Sequence, residues 1–264
     1  MFTVDAAQLE LWITAFLWPF ARITGFLAAS PLWGHSSVPT QAKIGLAALV
    51  SILVAPALPP LPAAGPFTWT GAGIVLEQIL IGVAIGLVMQ VAFATVQAAG
   101  EFIGLQMGLA FATFFSPDTG TNTMILSRLL HMVTLLLFLA FDGHLVVLEI
   151  LAASFTTLPV GFGGLEPGAF AMLARYGATI FASGLLLALP LVAPLLIMNL
   201  TLGILNRSAP QLTVFNIGLP ASLSVGLMLL AVLMMDLGRF VQSHFSAVLG
   251  FLRELLDLLA PLPG

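Results

Sequence analysis

The chain reads as an all-α, polytopic integral membrane protein of about six kinked hydrophobic helical segments. Three observations predict this. Hydrophobic residues fill 60% of its 264 positions and charged residues only 7%, against about 25% charged in ordinary soluble domains. The mean hydropathy is +1.14, so most of the exterior must face lipid or other apolar protein. The apolar runs reach or exceed the roughly 20 residues that a helix needs to cross a hydrocarbon core.

The segments follow in order. Ala6 to Ala29 is the first span, with Pro19 and Arg22 inside it. Pro31 to Thr40 is a connector rich in Pro, Gly, Ser and His, and Gln41 to Ala57 is a shorter second span. Pro56 to Gly65 (PALPPLPAAG) cannot continue a helix, because proline lacks the amide donor and clashes with the preceding turn. Thr70 to about Phe111 is apolar over twice a normal span, and either one very long helix or a poorly marked hairpin satisfies it. Met124 to about Leu158 is interrupted at Phe141-Asp142-Gly143-His144, and Leu158 to Gly168 is a loop. Phe170 to Leu205 carries Pro190 and Pro194 in its middle; Leu223 to Met235 is the last apolar run. In the tail, Val241, Phe245, Val248, Leu252, Leu255 and Leu259 recur at four- and three-residue steps, the seam of an amphipathic helix suited to a partner helix or a membrane surface. The organisation expected is one polytopic domain over 1–236 and an amphipathic tail over 237–264.

Seven basic and eleven acidic residues leave a net charge of −4 with no long run of either sign, so no polybasic patch for nucleic acid exists. The absence of cysteine excludes disulfides, thiolate metal sites and thiol catalysis together. The N-terminal stretch lacks an early Lys or Arg and reads as a retained span rather than a cleavable signal. Under a six-span reading, Lys43, Arg128 and Arg207 face Arg175, Arg239 and Arg253, which leaves the positive-inside rule tied.

One stretch raises a specific question. Gly108 to Thr123 (GLAFATFFSPDTGTNT) places Phe111, Phe114 and Phe115 just before Asp118-Thr119-Gly120. Aspartic-protease chemistry requires two carboxylates sharing a proton, and the chain holds no second such triplet. Asp118 and Gly120 therefore read as a turn. Arg22, Glu77, Glu101 and Arg128 sit in or beside apolar runs, where an uncompensated charge is costly. Structural pairing is favoured for them over an ion path, because Glu77 and Glu101 are too far apart in sequence to cluster at mid-span. His35, His131, His144 and His244 lack metal-ligand spacing, so neither a metal nor another cofactor is expected. Gly82/Gly86 and Gly100/Gly104/Gly108 make small-xxx-small steps that permit close helix approach. With no P-loop and no nucleophile elbow in the sequence, the residues themselves favour a channel or assembly subunit over an enzyme.

Several stretches together resemble the FliR family, the flagellar type III export-gate proteins also found in virulence injectisomes. They are RITGFLAASPLWGHSSVPTQAKIGLA (Arg22 to Ala47), EQILIGVAIGLVMQ (Glu77 to Gln90), AAGEFIGLQMGLAFATFFSPDTGTNTMILSRLL (Ala98 to Leu130) and APQLTVFNIGLPAS (Ala209 to Ser222). The last carries the loop motif Pro210, Gln211, Phe215, Gly218 and Pro220, with Thr213 where the family usually has asparagine. The resemblance implies a non-enzymatic helical subunit assembled with FliP- and FliQ-type subunits into a channel, with an FlhB-type protein attached. Unfolded flagellar substrates would pass through it. It implies a location in the bacterial inner membrane at the flagellar basal body, with several helices lifted partly out of the bilayer. It also implies that Phe111, Phe114 and Phe115 plug the closed pore, with Gly108 and Gly120 as flexible ends. A proton- or ion-coupled secondary transporter using Glu77 and Glu101, or a membrane scaffold, is the alternative.

Overall fold

The structure is a computed structural model that describes residues 6–62, 64–65, 68–109, 125–161, 163–208 and 217–260. Among the described residues there is no strand. Helix α1 is Ala6–Ala29 and α2 is Thr40–Val54, which runs into a short 3-10 turn at Ala55–Ala57. Helix α3 is Trp69–Gln106, α4 is Ile125–Ala140 and α5 is Gly143–Thr157. Helix α6 is Pro167–Tyr176, α7 is Thr179–Ser208 and α8 is Leu219–Leu259. Among the described residues five helical segments are long and apolar enough to cross a membrane, and the pair α4–α5, bent by 68°, makes a sixth if it crosses as one broken span.

Local chemistry sets most boundaries. Helix α1 stops two residues before Pro31, and the first turn of α6 holds Pro167, where the missing amide hydrogen is not needed. The break between α4 and α5 falls at Asp142, whose φ of 55° places a non-glycine residue in the left-handed region. Prolines 190 and 194 do not interrupt α7, which runs through both. Apolar surroundings leave the backbone no solvent partner outside the helix, so the helical form survives the two missing donors.

The double-length run resolves as one helix. At 1.5 Å per residue, the 38 residues of α3 extend about 57 Å and the 41 residues of α8 about 62 Å. Both are about twice the thickness of a hydrocarbon core, roughly 30 Å. Neither helix can stand upright with its whole length in lipid. Helix α8 also joins what the sequence separates into a last span and a tail, since residues 236 and 237 lie in its interior. The tail seam is buried within the chain itself: Val241, Val248, Leu252, Leu255 and Leu259 are at most 1% exposed. The expected partner or membrane contact for that seam is thus taken by the protein's own helices.

The chain forms two compact units. One comprises Met1–Val91, Asp142–Gly177 and Ser246–Gly264; the other comprises Ala92–Phe141 and Ala178–Phe245. In the first, Trp18, Ile74, Phe155 and Val160 form a buried core onto which Leu58, Leu61 and Ala64 of the proline-rich segment pack. Gly25, Gly82 and Gly86 let α1 and α3 touch backbone to backbone. A Cβ on Gly25 would stand 2.6 Å from the Ile79 carbonyl oxygen, and one on Gly82 would overlap the Arg22 carbonyl oxygen. In the second unit the core is aromatic. Phe93 of α3 lies 5.5 Å from Phe138 of α4 and 5.1 Å from Phe245 of α8, ring centroid to ring centroid. Phe138 and Phe245 close the triangle at 4.7 Å. Here Gly100 brings α3 against α4, its Cβ position being 2.5 Å from Ser127 Cα.

Candidate functional site

The end of α3 is the point from which the phenylalanine-rich stretch departs. Gly108 adopts φ 79°, a conformation that side chains disfavour. Its amide donates to the Leu105 carbonyl at 3.1 Å, and the Leu109 amide donates to the Gly104 carbonyl at 2.9 Å. These two bonds around a left-handed glycine make a Schellman cap. Gly108 thus closes α3 with a hydrogen-bonded terminator. Phe111, Phe114, Phe115 and Gly120 lie outside the described residues, as does the Asp118-Thr119-Gly120 triplet.

Three helices converge on this cap inside the second unit. The Gln106 carbonyl is among the last four of α3, which have no partner within the helix. It accepts from Asn199 Nδ2 of α7 at 3.4 Å. Asn199 Oδ1 in turn accepts from the Ser222 hydroxyl of α8 at 3.2 Å, and that hydroxyl is shared with the Gly218 carbonyl at 2.7 Å. A carbonyl can only accept and the hydroxyl has a proton to give, so the orientation of the amide follows from its neighbours. Met107, 1% exposed, seats on Gly226 of α8. A Cβ there would stand 2.6 Å from its Cγ and 2.9 Å from its Sδ. Gly218 belongs to a π-helical turn at residues 217–218 directly before α8, and Pro220 is the second residue of that helix. Pro210, Gln211 and Phe215 lie outside the described residues. Asn199 and Ser222 were missed in the sequence; the one available signal was a lone amide inside a long apolar run.

A second polar constellation lies in the first unit. Arg22 is fully buried. Its Nε donates to Gln78 Oε1 at 2.8 Å, one terminal nitrogen to Ser154 Oγ at 3.0 Å, and the other to the Leu158 carbonyl at 2.8 Å. Its Cζ stands 4.1 Å from the centroid of the Phe155 ring. Among the described residues no carboxylate lies within ion-pair distance of it; the guanidinium is held by neutral acceptors and a ring face. The planar fork suits this task, because it can address three acceptors in three directions at once. The close approach at Gly82 is what brings Gln78, one turn earlier on α3, within reach of α1.

The other expected pairing residues do not pair with one another. Glu77 accepts from the Gly164 amide at 3.1 Å and so ties the loop after α5 to α3. Glu101 and Arg128 are exposed. Glu77 and Glu101 stand 24 residues apart on α3, about 36 Å along its axis. They form no shared carboxylate site. Among the histidines, His131 Nδ1 lies 3.0 Å from Gln97 Nε2, His244 Nε2 lies 3.2 Å from the Ala92 carbonyl, and His35 Nδ1 accepts from the Ser37 amide at 3.2 Å. Among the described residues no group of three His, Cys, Asp or Glu side chains is placed to hold a metal. A cavity of about 360 Å³ in the first unit is lined by Glu149, Ser154, Thr157, Arg253 and Asp257 with apolar neighbours.

Residues 13–248 match the family described as bacterial export proteins, family 1. The chain is 45% identical to the flagellar biosynthetic protein FliR of Pectobacterium carotovorum subsp. carotovorum, covering 98% of this chain and 99% of that protein. It is 42% identical to the FliR of Escherichia coli K12, over 97% of this chain and 98% of the relative. It is 31% identical to that of Bacillus subtilis 168, over 92% and 95%. With relatives matched nearly end to end at these identities, a capped 38-residue helix leading into the phenylalanine-rich stretch, and five or six membrane-length helices, the chain belongs to the FliR family of bacterial export proteins.

Proposed function

We propose that the chain is a subunit of the flagellar type III protein export gate in the bacterial inner membrane at the flagellar basal body. With FliP- and FliQ-type partners it forms the channel for unfolded flagellar proteins, and an FlhB-type protein attaches to it. The observation that carries this is the near-complete match to relatives named flagellar biosynthetic proteins. Two physical features support it. Helices about twice as long as a hydrocarbon core is thick suit an assembly that stands partly outside the membrane. Broad exposed apolar faces, such as Leu186, Ile197, Leu200 and Ile204 on α7, suit contact with other apolar subunits or lipid.

Within that channel Phe111, Phe114 and Phe115 act as the plug. Apolar side chains seal a narrow passage by excluding water, and yield to an incoming chain because nothing locks them covalently. Deleting residues 110–116 is expected to make cell membranes leaky to small ions while the partner subunits still co-purify. An intact ion barrier in an assembled deletion variant overturns the plug assignment, and failure to isolate the chain with other small polytopic proteins overturns the gate assignment.

A further inference from the structure

We propose that Asn199 is a positioning residue of the gate, tying the capped end of α3 to the start of α8 so that the stretch after Gly108 leaves from a fixed place. This rests on the plug reading above. The argument starts from one carbonyl. The Schellman cap satisfies Gly104 and Leu105, and the Met107 amide satisfies Ile103 at 2.9 Å. Among the described residues the donor to the Gln106 carbonyl is Asn199, on a different helix. An amide side chain is the right group for the position. It donates to a carbonyl through its nitrogen and accepts from a hydroxyl through its oxygen, a two-atom span that the single oxygen of a serine or threonine does not offer and a hydrocarbon side chain cannot replace. Its second contact, Ser222, is itself bonded back to Gly218 in the turn that opens α8.

The joint therefore links two stems. One leads out of α3 at Leu109 into residues 110–124; the other leads out of residues 209–216 into the turn at 217–218. Beside the polar rungs, Met107 on bare Gly226 supplies an apolar seat with the same two helices as partners. A methionine seat is adaptable, and the two rungs through Asn199 are long, at 3.4 and 3.2 Å. An adaptable seat tolerates a small slide of α8 along α3, so the directed bonds through Asn199, long as they are, are what mark one register from the next. Loosening it should displace the departure point of residues 109–124 without unfolding either helix.

The chain contains no cysteine, which allows a direct test in the full gate complex expressed with its partner subunits. The pair Met107→Cys with Gly226→Cys should form a disulfide on mild oxidation when Asn199 is present. Adding Asn199→Leu should lower the crosslink yield several-fold. In the cysteine-free background, Asn199→Leu should raise ion leakage several-fold over the unmodified gate with the complex still co-purifying, and Ser222→Ala should do the same to a smaller extent. An unchanged crosslink with leucine at 199 overturns the proposal. So does an unchanged ion barrier in Asn199→Leu when deletion of 110–116 leaks. If that deletion does not leak, the plug reading falls. The joint is then judged on the crosslink alone, where retention overturns it and loss supports it. If Asn199→Leu fails to assemble, Ser222→Ala is read in both assays with the same criteria.

Discussion

The two units hold their centres by opposite means. In the first, one cation sends directed hydrogen bonds to three acceptors on two other elements, with a ring face beneath it. In the second, Phe93 meets Phe138 and Phe245 through ring contacts, with His131 edge-on at 5.6 Å. Directed bonds demand one geometry, and each stranded acceptor costs about 1–3 kcal/mol in a buried site. Ring contacts are broad, each aromatic pair adding about 0.5–1.5 kcal/mol beyond area burial, and they tolerate a change of shape if volume is kept. Removing a guanidinium also relieves several kcal/mol of desolvation. Arg22 therefore specifies how α1, α3 and α5 meet, and its net contribution to stability is smaller than its three hydrogen bonds alone suggest.

Conservative substitution separates the two most sharply. Phe93→Ala should have the largest effect, about 3–5 kcal/mol, because it empties a fully packed site shared by three helices. Phe93→Leu should recover most of it and leave a loss of about 1.5 kcal/mol or less. Arg22→Met should cost about 3 kcal/mol, from three stranded acceptors partly offset by relief of desolvation. Arg22→Lys should recover little, since a single ammonium cannot span the three directions. Thermal unfolding of the detergent-solubilised complex ranks all four. A lysine that restores Arg22 function would show that charge, and not the fork, matters.

The glycines give the smaller test. Gly82→Ala places a methyl against the backbone of Arg22, which cannot move without shifting α1, and should cost about 1–3 kcal/mol. Gly226→Ala places its methyl nearest the Met107 side chain, whose flexible thioether can swing aside, and should cost less than Gly82→Ala. Equal losses at the two positions would mean that Met107 is as rigidly seated as a backbone.

Much of the fold was legible because its causes are local. The 60% hydrophobic composition demands an apolar exterior. Prolines at 31 and 56–62 stop helices wherever they fall near a terminus, and the first span matches α1 from Ala6 to Ala29. The glycine steps announced close packing but not the partner, which proves to be α1 at Gly82 and Gly86 and α4 at Gly100. Other features were not local. Whether the run from residue 70 was a helix or a hairpin had no sequence signal to decide it. The α8 seam spoke for burial without saying whose surface supplied it.

Composition, run length and breaker residues were enough to determine a helical membrane protein and the place of most of its joints, because hydrophobicity and backbone propensity act over a few neighbouring residues. Only the tertiary structure decided that Arg22 would be satisfied by groups 56, 132 and 136 residues away, and that Asn199 would complete a helix end 93 residues before it. A hydrogen-bonding side chain states what it needs but not where the need is met. That is settled when helices pack and bring a partner within reach, as they do for Arg22 and Asn199.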